Sequence, residues 1–158
     1  MLQLHPAEFR FADWLRDFQW VSDDNLVDCW DTGPAVEEAQ TGDTVFIWNG
    51  GSSAAGLCGQ AKVVAIPEVF SLAVKKREYF MNLKEPDKAD GNHRLALKYS
   101  RISLGAPLLK TELESQGLKT SVPPPGVSFY RLPDNEGKAI ERVLRGRTII
   151  VELPYCRT

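Results

Sequence analysis

Two histidines, His5 and His93, and three cysteines, Cys29, Cys58 and Cys156, are the main nucleophiles and soft metal ligands available to this chain. The cysteines are odd in number, far apart and contain no C-x-x-C pair. That argues against a disulfide framework and against a tetrahedral zinc site, and leaves ordinary reduced thiols. A hydrolytic centre would have to combine Asp31 or Asp43 with His5 or His93, yet no nucleophile, base and orienting group stand at a recognisable catalytic spacing. No catalytic residue, metal or cofactor is assigned, and a binding role is expected. The aromatic content is more suggestive. Trp30 lies in the turn-rich stretch Cys29-Trp30-Asp31-Thr32-Gly33-Pro34, where a large ring is unusual, and Trp48 ends the apolar run Thr44-Val45-Phe46-Ile47-Trp48 just before the Asn49-Gly50-Gly51-Ser52-Ser53 loop. Converging rings can stack on a planar ligand; equally, a tryptophan in a small domain is most often a core residue.

The elements that must position these residues follow from periodicity. Leu2 and Leu4 mark a short first strand ended by Pro6, and residues 7–18 place Phe11, Trp14, Leu15 and Phe18 at helical spacing. An acidic loop with Asp23, Asp24 and Asp28 precedes the Trp30 turn. Residues 44–48 form a β-branched and aromatic strand. Leu57, Gly59, Ala61, Val63 and Ala65 then alternate with Cys58, Gln60, Lys62 and Val64 as in a half-buried strand, and Leu95, Leu97 and Tyr99 repeat the pattern. Pro107 suits the first turn of a helix through Leu108, Leu109 and Leu113; residues 127–132 read as a strand, and Asp134 can cap a helix carrying Ala139, Ile140, Val143 and Leu144. Short strands with appended helices predict an α+β domain. At 158 residues and 43% hydrophobic content the chain supports one domain over 1–158, with a flexible tail over 146–158.

The net charge of −2 conceals an asymmetry. Residues 1–50 hold ten acidic and two basic side chains, and residues 51–158 hold eleven and seventeen. A polyanion needs only a local positive patch, so a nucleic-acid partner is compatible with the acidic total. The densest basic stretch, residues 75–98, contains Lys75, Lys76, Arg77, Arg94 and Lys98. No apolar window approaches a membrane span and the start lacks the pattern of a signal peptide, so a cytoplasmic location without membrane association is expected.

Several blocks, in order, resemble the EVE family of PUA-like domains. These are Trp30-Asp31, then Gly42-Asp43-Thr44-Val45-Phe46-Ile47-Trp48, then Gly56 to Val63 with its Gly-hydrophobic-x-Gly-x-Ala-x-Val pattern, then Pro67. The succession continues through Leu97-Lys98-Tyr99, Pro107-Leu108-Leu109 with Glu112-Leu113, and Ser128-Phe129-Tyr130-Arg131-Leu132 before a Glu136-bearing helix, so the resemblance covers nearly the whole chain. The opening Gln3-Leu4-His5-Pro6 resembles the Gln-x-x-Pro start of EVE domains attached to modification-dependent restriction nucleases, with His5 where Asn is expected. Asn49-Gly50 and Leu57-Cys58-Gly59-Gln60-Ala61 resemble the related YTH domains.

The resemblance implies a mixed β-barrel flanked by short helices and a pocket for a flipped-out modified base, lined by Trp30 and Trp48. Gln3, His5, Asp31, Thr32, Asn49, Ser52 and Ser53 lie in or beside the segments expected around it. Lys75, Lys76, Arg77, Arg94 and Lys98 would hold the flanking phosphates, giving affinity without sequence information. A carboxylate such as Asp31 can accept from cytosine N4, which favours 5-methylcytosine or 5-hydroxymethylcytosine in DNA. The chain would then be the specificity module of a modification-dependent restriction endonuclease whose nuclease is fused or associated. The alternatives are a reader of a modified base in RNA, a small hydrolase, or a protein-interaction module. The base-reading expectation requires Trp30 and Trp48 to line one cavity.

Overall fold

The computed structural model describes residues 1–5, 9–17, 27–31, 38–50, 55–66, 76, 78–81, 94–102, 107–118, 127 and 129–146. The expected tail lies almost entirely outside them. The chain is α+β: a curled, mixed sheet forming a half-barrel, with a few short helices. In chain order the elements are β1 (Leu2–Leu4), α1 (Phe11–Asp17), β2 (Asp28–Asp31), β3 (Thr44–Asn49), β4 (Gly56–Ala65), β5 (Arg94–Ile102), β6 (Leu108–Leu109), α2 (Lys110–Ser115) and α3 (Asp134–Gly146). The sheet order is β1-β3-β4-β5-β2, with β6 added on β4. β1 runs parallel to β3, and the other pairs are antiparallel.

Alternation along the strands sends two sets of side chains to two cores. From β3, Val45 and Ile47 join Leu2, Leu4, Ala61, Val63, Leu95, Leu97 and Tyr99 under the aromatic residues of α1 and its approach. Phe46 and Trp48, one position out of phase, pack with Leu57, Leu108, Leu113, Ile140 and Leu144 beneath α2 and α3. Register irregularities fall at Ile47/Trp48, Gln60/Ala61 and Val63/Ala65, and bulges of this kind add local twist to a sheet. β3, β4, β5 and α3 form where periodicity predicts them.

Three elements differ from expectation. The stretch read as acidic loop followed by turn is β2: Asp28 to Asp31 pair with Leu97, Ala96, Leu95 and Arg94 of β5, so Trp30 is a strand residue. The turn signals Thr32-Gly33-Pro34 stand just beyond it, outside the described residues. The helix expected from Pro107 begins at Lys110, because Leu108 and Leu109 pair with Leu57 and Gly56 instead. The backbone N–H of Leu109 donates to Glu112 Oε2 at 2.8 Å, closing that helix start. Among the described residues of 127–132, where a strand is expected, Phe129 bridges to Leu2, Tyr130 N–H donates to the Met1 carbonyl, and the Met1 amino group donates to the Tyr130 carbonyl. No helix among the described residues is long and apolar enough to cross a membrane.

Candidate functional site

The chemistry-bearing residues converge where β2 meets β5 and α1. Asp28, at the start of β2, is 1% exposed, and Lys76 is 2% exposed. Lys76 Nζ lies 2.7 Å from Asp28 Oδ1 and donates to the Cys29 carbonyl at 2.5 Å. The other carboxylate oxygen, Oδ2, accepts from Trp14 Nε1 at 3.0 Å and from the Tyr99 hydroxyl at 2.6 Å. Tyr99 in turn accepts from Trp30 Nε1 at 2.8 Å. Strand and helix periodicity place these groups: Asp28 and Trp30 are two apart on one face of β2, and Trp14 is on the buried side of α1.

Aromatic rings surround the pair. The Lys76 ammonium sits 3.4 Å from the Trp30 ring centroid, 5.6 Å from Trp14 and 5.7 Å from Phe9. Phe9 meets Trp30 edge to face at 5.0 Å, and Phe80 meets Phe9 at 4.7 Å. This is an aromatic cage with a carboxylate in it, and its present occupant is the chain's own ammonium group. Such a site holds a cation by the ring quadrupoles and by Coulomb attraction together.

The expected two-tryptophan pocket does not form. Trp30 belongs to the core beneath α1 and Trp48 to the core beneath α2 and α3, both nearly fully buried. Strand alternation decides this, since Trp48 shares its face of β3 with Phe46 and not with Ile47. Trp48 is a packing residue. Trp48→Phe is expected to lower the melting temperature by several degrees through lost burial while leaving binding of any modified oligonucleotide unchanged, as titration of both proteins would show.

Lys76 is not a phosphate ligand either, because it is enclosed and paired with Asp28. Lys98 does lie at the surface margin, directly across from Lys62 in the β4/β5 register, so Lys62 extends the basic strip that the sequence indicated only at Lys98. Arg94 is on β5 opposite Asp31. Lys75, Arg77, Thr32, Ser52 and Ser53 lie outside the described residues. Gln3, His5 and Asn49 are brought together at the end of the parallel β1/β3 pair: Gln3 is opposite Trp48, Asn49 is opposite Leu4, and a Cβ on Gly50 would meet Gln3 Nε2 at 3.3 Å and His5 Cδ2 at 4.0 Å. The His5 carbonyl accepts from Phe9 N–H at 3.1 Å, which joins this polar group to the aromatic cage. Gln3 Oε1 is buried without a hydrogen-bond partner.

Phe9, Trp14, Asp28 and Tyr99 carry the site and were not singled out for it from the sequence. Trp14 reads as helix core, Asp28 as loop and Tyr99 as strand core; only their pairing across long sequence separations reveals a polar floor. Burial and the neighbouring Asp28 carboxylate push the Tyr99 phenol well above its ordinary value of 10. The folded chain therefore keeps that proton where the unfolded chain loses it, so this contribution to stability is whole below about pH 10 and falls as pH rises further. Chemical denaturation at pH 8 and pH 11 should show the loss, and Tyr99→Phe should reduce it. The Cys58 thiol, buried against the Ile47 carbonyl, is pushed up to about 12 and is a poor nucleophile at neutral pH.

A separate open groove of about 350 Å³ runs between the start of α3, β3 and residues 129–133. Glu38, Asp43, Asp134 and Glu141 outnumber Arg131 and Lys138 along it, which is the wrong balance for a phosphate backbone. It contains neither Trp30 nor Trp48. Among the described residues no group of three or more His, Cys, Asp or Glu is placed to hold a metal ion.

Comparison with known proteins gives a fold and no family. No family model matches the chain, and no curated protein matches it. A solved structure of a hypothetical protein from Leishmania major is similar, with a TM-score of 0.61 and 17% identity over 92% of this chain and 94% of that one. At that identity the likeness extends to the fold alone.

Proposed function

We propose that this chain is a nucleic-acid-binding domain of PUA-like, EVE-type architecture; because Trp30 and Trp48 lie in different cores, the two-tryptophan condition for holding a flipped-out modified base is not met, and base reading would have to rest on the Trp30 ring cluster alone. The observation that carries the reading is the cage itself: Phe9, Trp14 and Trp30 around a polar floor of Asp28 and Tyr99. Extruding a base costs about a few kcal/mol and stacking returns roughly 1 to 3 kcal/mol per base, so a ring cluster with hydrogen-bonding groups has the composition the task requires. Lys62 and Lys98 alternate with Ala61, Val63, Leu97 and Tyr99 and so stand on the sheet face away from the Trp30 cluster, where they would meet phosphates only on that other face.

A modified cytosine in DNA is the first ligand to test, in the setting of a fused or associated nuclease. Matched duplexes carrying unmodified and modified cytosine, and the corresponding RNA, should be titrated at one stated salt concentration into wild type and Trp30→Ala, with folding checked by circular dichroism. Preference for a modified strand by about tenfold or more, lost in the variant, is expected. Equal affinity for every strand in both proteins would sink the reading. Tighter binding to RNA than to DNA would transfer it to an RNA partner.

A further inference from the structure

We infer that the closed cluster beneath α1 joins its own two charged groups covalently: Lys76 Nζ condenses with the Asp28 side chain to form an isopeptide amide. The step is intramolecular, so no ligand enters, and its test is separate from any nucleic-acid titration. Nζ lies 2.7 Å from Asp28 Oδ1, and the two side chains are 3% and 2% exposed. They stand forty-eight residues apart in sequence, Asp28 on β2 and Lys76 in a stretch of its own, so the amide would tie two distant parts of the chain together.

The surroundings supply what condensation requires. Charges enclosed among Phe9, Trp14 and Trp30 are costly, and passing one proton from Nζ to Oδ1 neutralises both at once, leaving a free amine beside a carboxylic acid. Oδ2 is fixed by two donors, Trp14 Nε1 at 3.0 Å and the Tyr99 hydroxyl at 2.6 Å, which are placed to stabilise negative charge on that oxygen when the amine adds to Cγ. The Cys29 carbonyl, 2.5 Å from Nζ, accepts one N–H and holds the amine against the carboxyl group. The Nζ–Cγ bond forms first. The Cγ–Oδ1 bond then breaks, and Oδ1 leaves as water with the proton it received and a second one from Nζ. Oδ2 remains as the amide oxygen, still accepting from Trp14 and Tyr99. One ammonium and one carboxylate become one amide and one water, with no oxidant, cofactor or activating reagent. Fixing the two groups in contact is equivalent to a concentration of about 10⁵ M or more, and the enclosing rings leave little water to reverse the step.

Intact-mass spectrometry of the folded protein, held at neutral pH for several days, tests the step. A loss of the mass of one water is expected, together with a branched peptide after proteolysis that joins the Asp28 and Lys76 segments. A backbone imide at Asp90-Gly91 would lose the same mass, but hydroxylamine cleaves an imide and leaves an amide intact. Wild type held unfolded in guanidinium chloride should keep its full mass, which ties the reaction to the folded geometry. Lys76→Met should keep its full mass, Asp28→Asn should reach the same crosslinked product by losing ammonia, and Tyr99→Phe should slow the condensation about a hundredfold. Wild type alone decides the question if a variant fails to fold. Folded wild type that retains its full mass and yields no branched peptide would overturn the inference and leave Asp28 and Lys76 an ordinary buried ion pair.

Discussion

Asp28→Ala is expected to lower the melting temperature by roughly 6–20 °C. Asp28 is the point at which four side chains meet: its carboxylate pairs with Lys76 and accepts from Trp14 and Tyr99. Truncation strands a buried ammonium, and breaking one partner of a buried ion pair typically costs about 3–5 kcal/mol. For a chain of this size each kcal/mol corresponds to about 2–4 °C. The same physics predicts a strong non-additivity. Replacing both charges, in Asp28→Asn with Lys76→Met, removes the uncompensated ion and retains neutral partners for Trp14 and Tyr99, so the double variant should be more stable than Asp28→Ala and no less stable than Lys76→Met. Thermal unfolding followed by circular dichroism measures all of these. A double variant whose loss equals the sum of the losses of Asp28→Asn and Lys76→Met measured singly would show that Asp28 and Lys76 do not interact.

Gly56→Ala should be the most damaging methyl addition among the described glycines. A Cβ at Gly56 would lie 2.5 Å from the Leu108 carbonyl oxygen, 3.0 Å from its carbon and 3.1 Å from Leu109 Cα. All three are backbone atoms of β6, which pairs with β4 at this residue, so no side chain can rotate away. Either β6 separates from β4 or the strand shifts, at a cost of about 1–3 kcal/mol or more. Gly137 is the matching control with the opposite sign. It lies inside α3, a Cβ there would meet nothing nearer than Phe46 Cε2 at 3.9 Å, and Gly137→Ala should stabilise the chain by about 0.5–1 kcal/mol through helix propensity. Urea denaturation of the two variants beside wild type should give shifts in opposite directions. Two shifts of the same sign would mean that the β4/β6 contact is looser than its backbone geometry indicates.

Much of the framework was legible in the order of residues, because strand and helix patterns repeat over two to four positions and need no distant partner. Alternation placed β3, β4 and β5, and helical spacing with a terminal aspartate placed α3. The Trp30 segment was misread because Asp28 and Trp30 resemble a loop by composition; their extended form is imposed by pairing with β5, more than sixty residues away. Leu108 and Leu109 were assigned to a helix for a similar reason, since only contact with Gly56 turns them into a strand.

The site was legible in its ingredients and not in their arrangement. By itself the sequence supplied Trp30, Gln3, His5 and Asn49 as candidates and showed that a basic run surrounds Lys76. Whether a lysine in such a run is solvated or enclosed depends on what stands opposite it, and Asp28 lies forty-eight residues earlier in the chain. Whether two tryptophans share a cavity depends on which face of the sheet each strand turns toward the core, and Trp30 and Trp48 belong to different cores. Only the tertiary structure decided these matters, because burial and charge pairing are set by residues far apart in sequence, whereas local periodicity is set by neighbours.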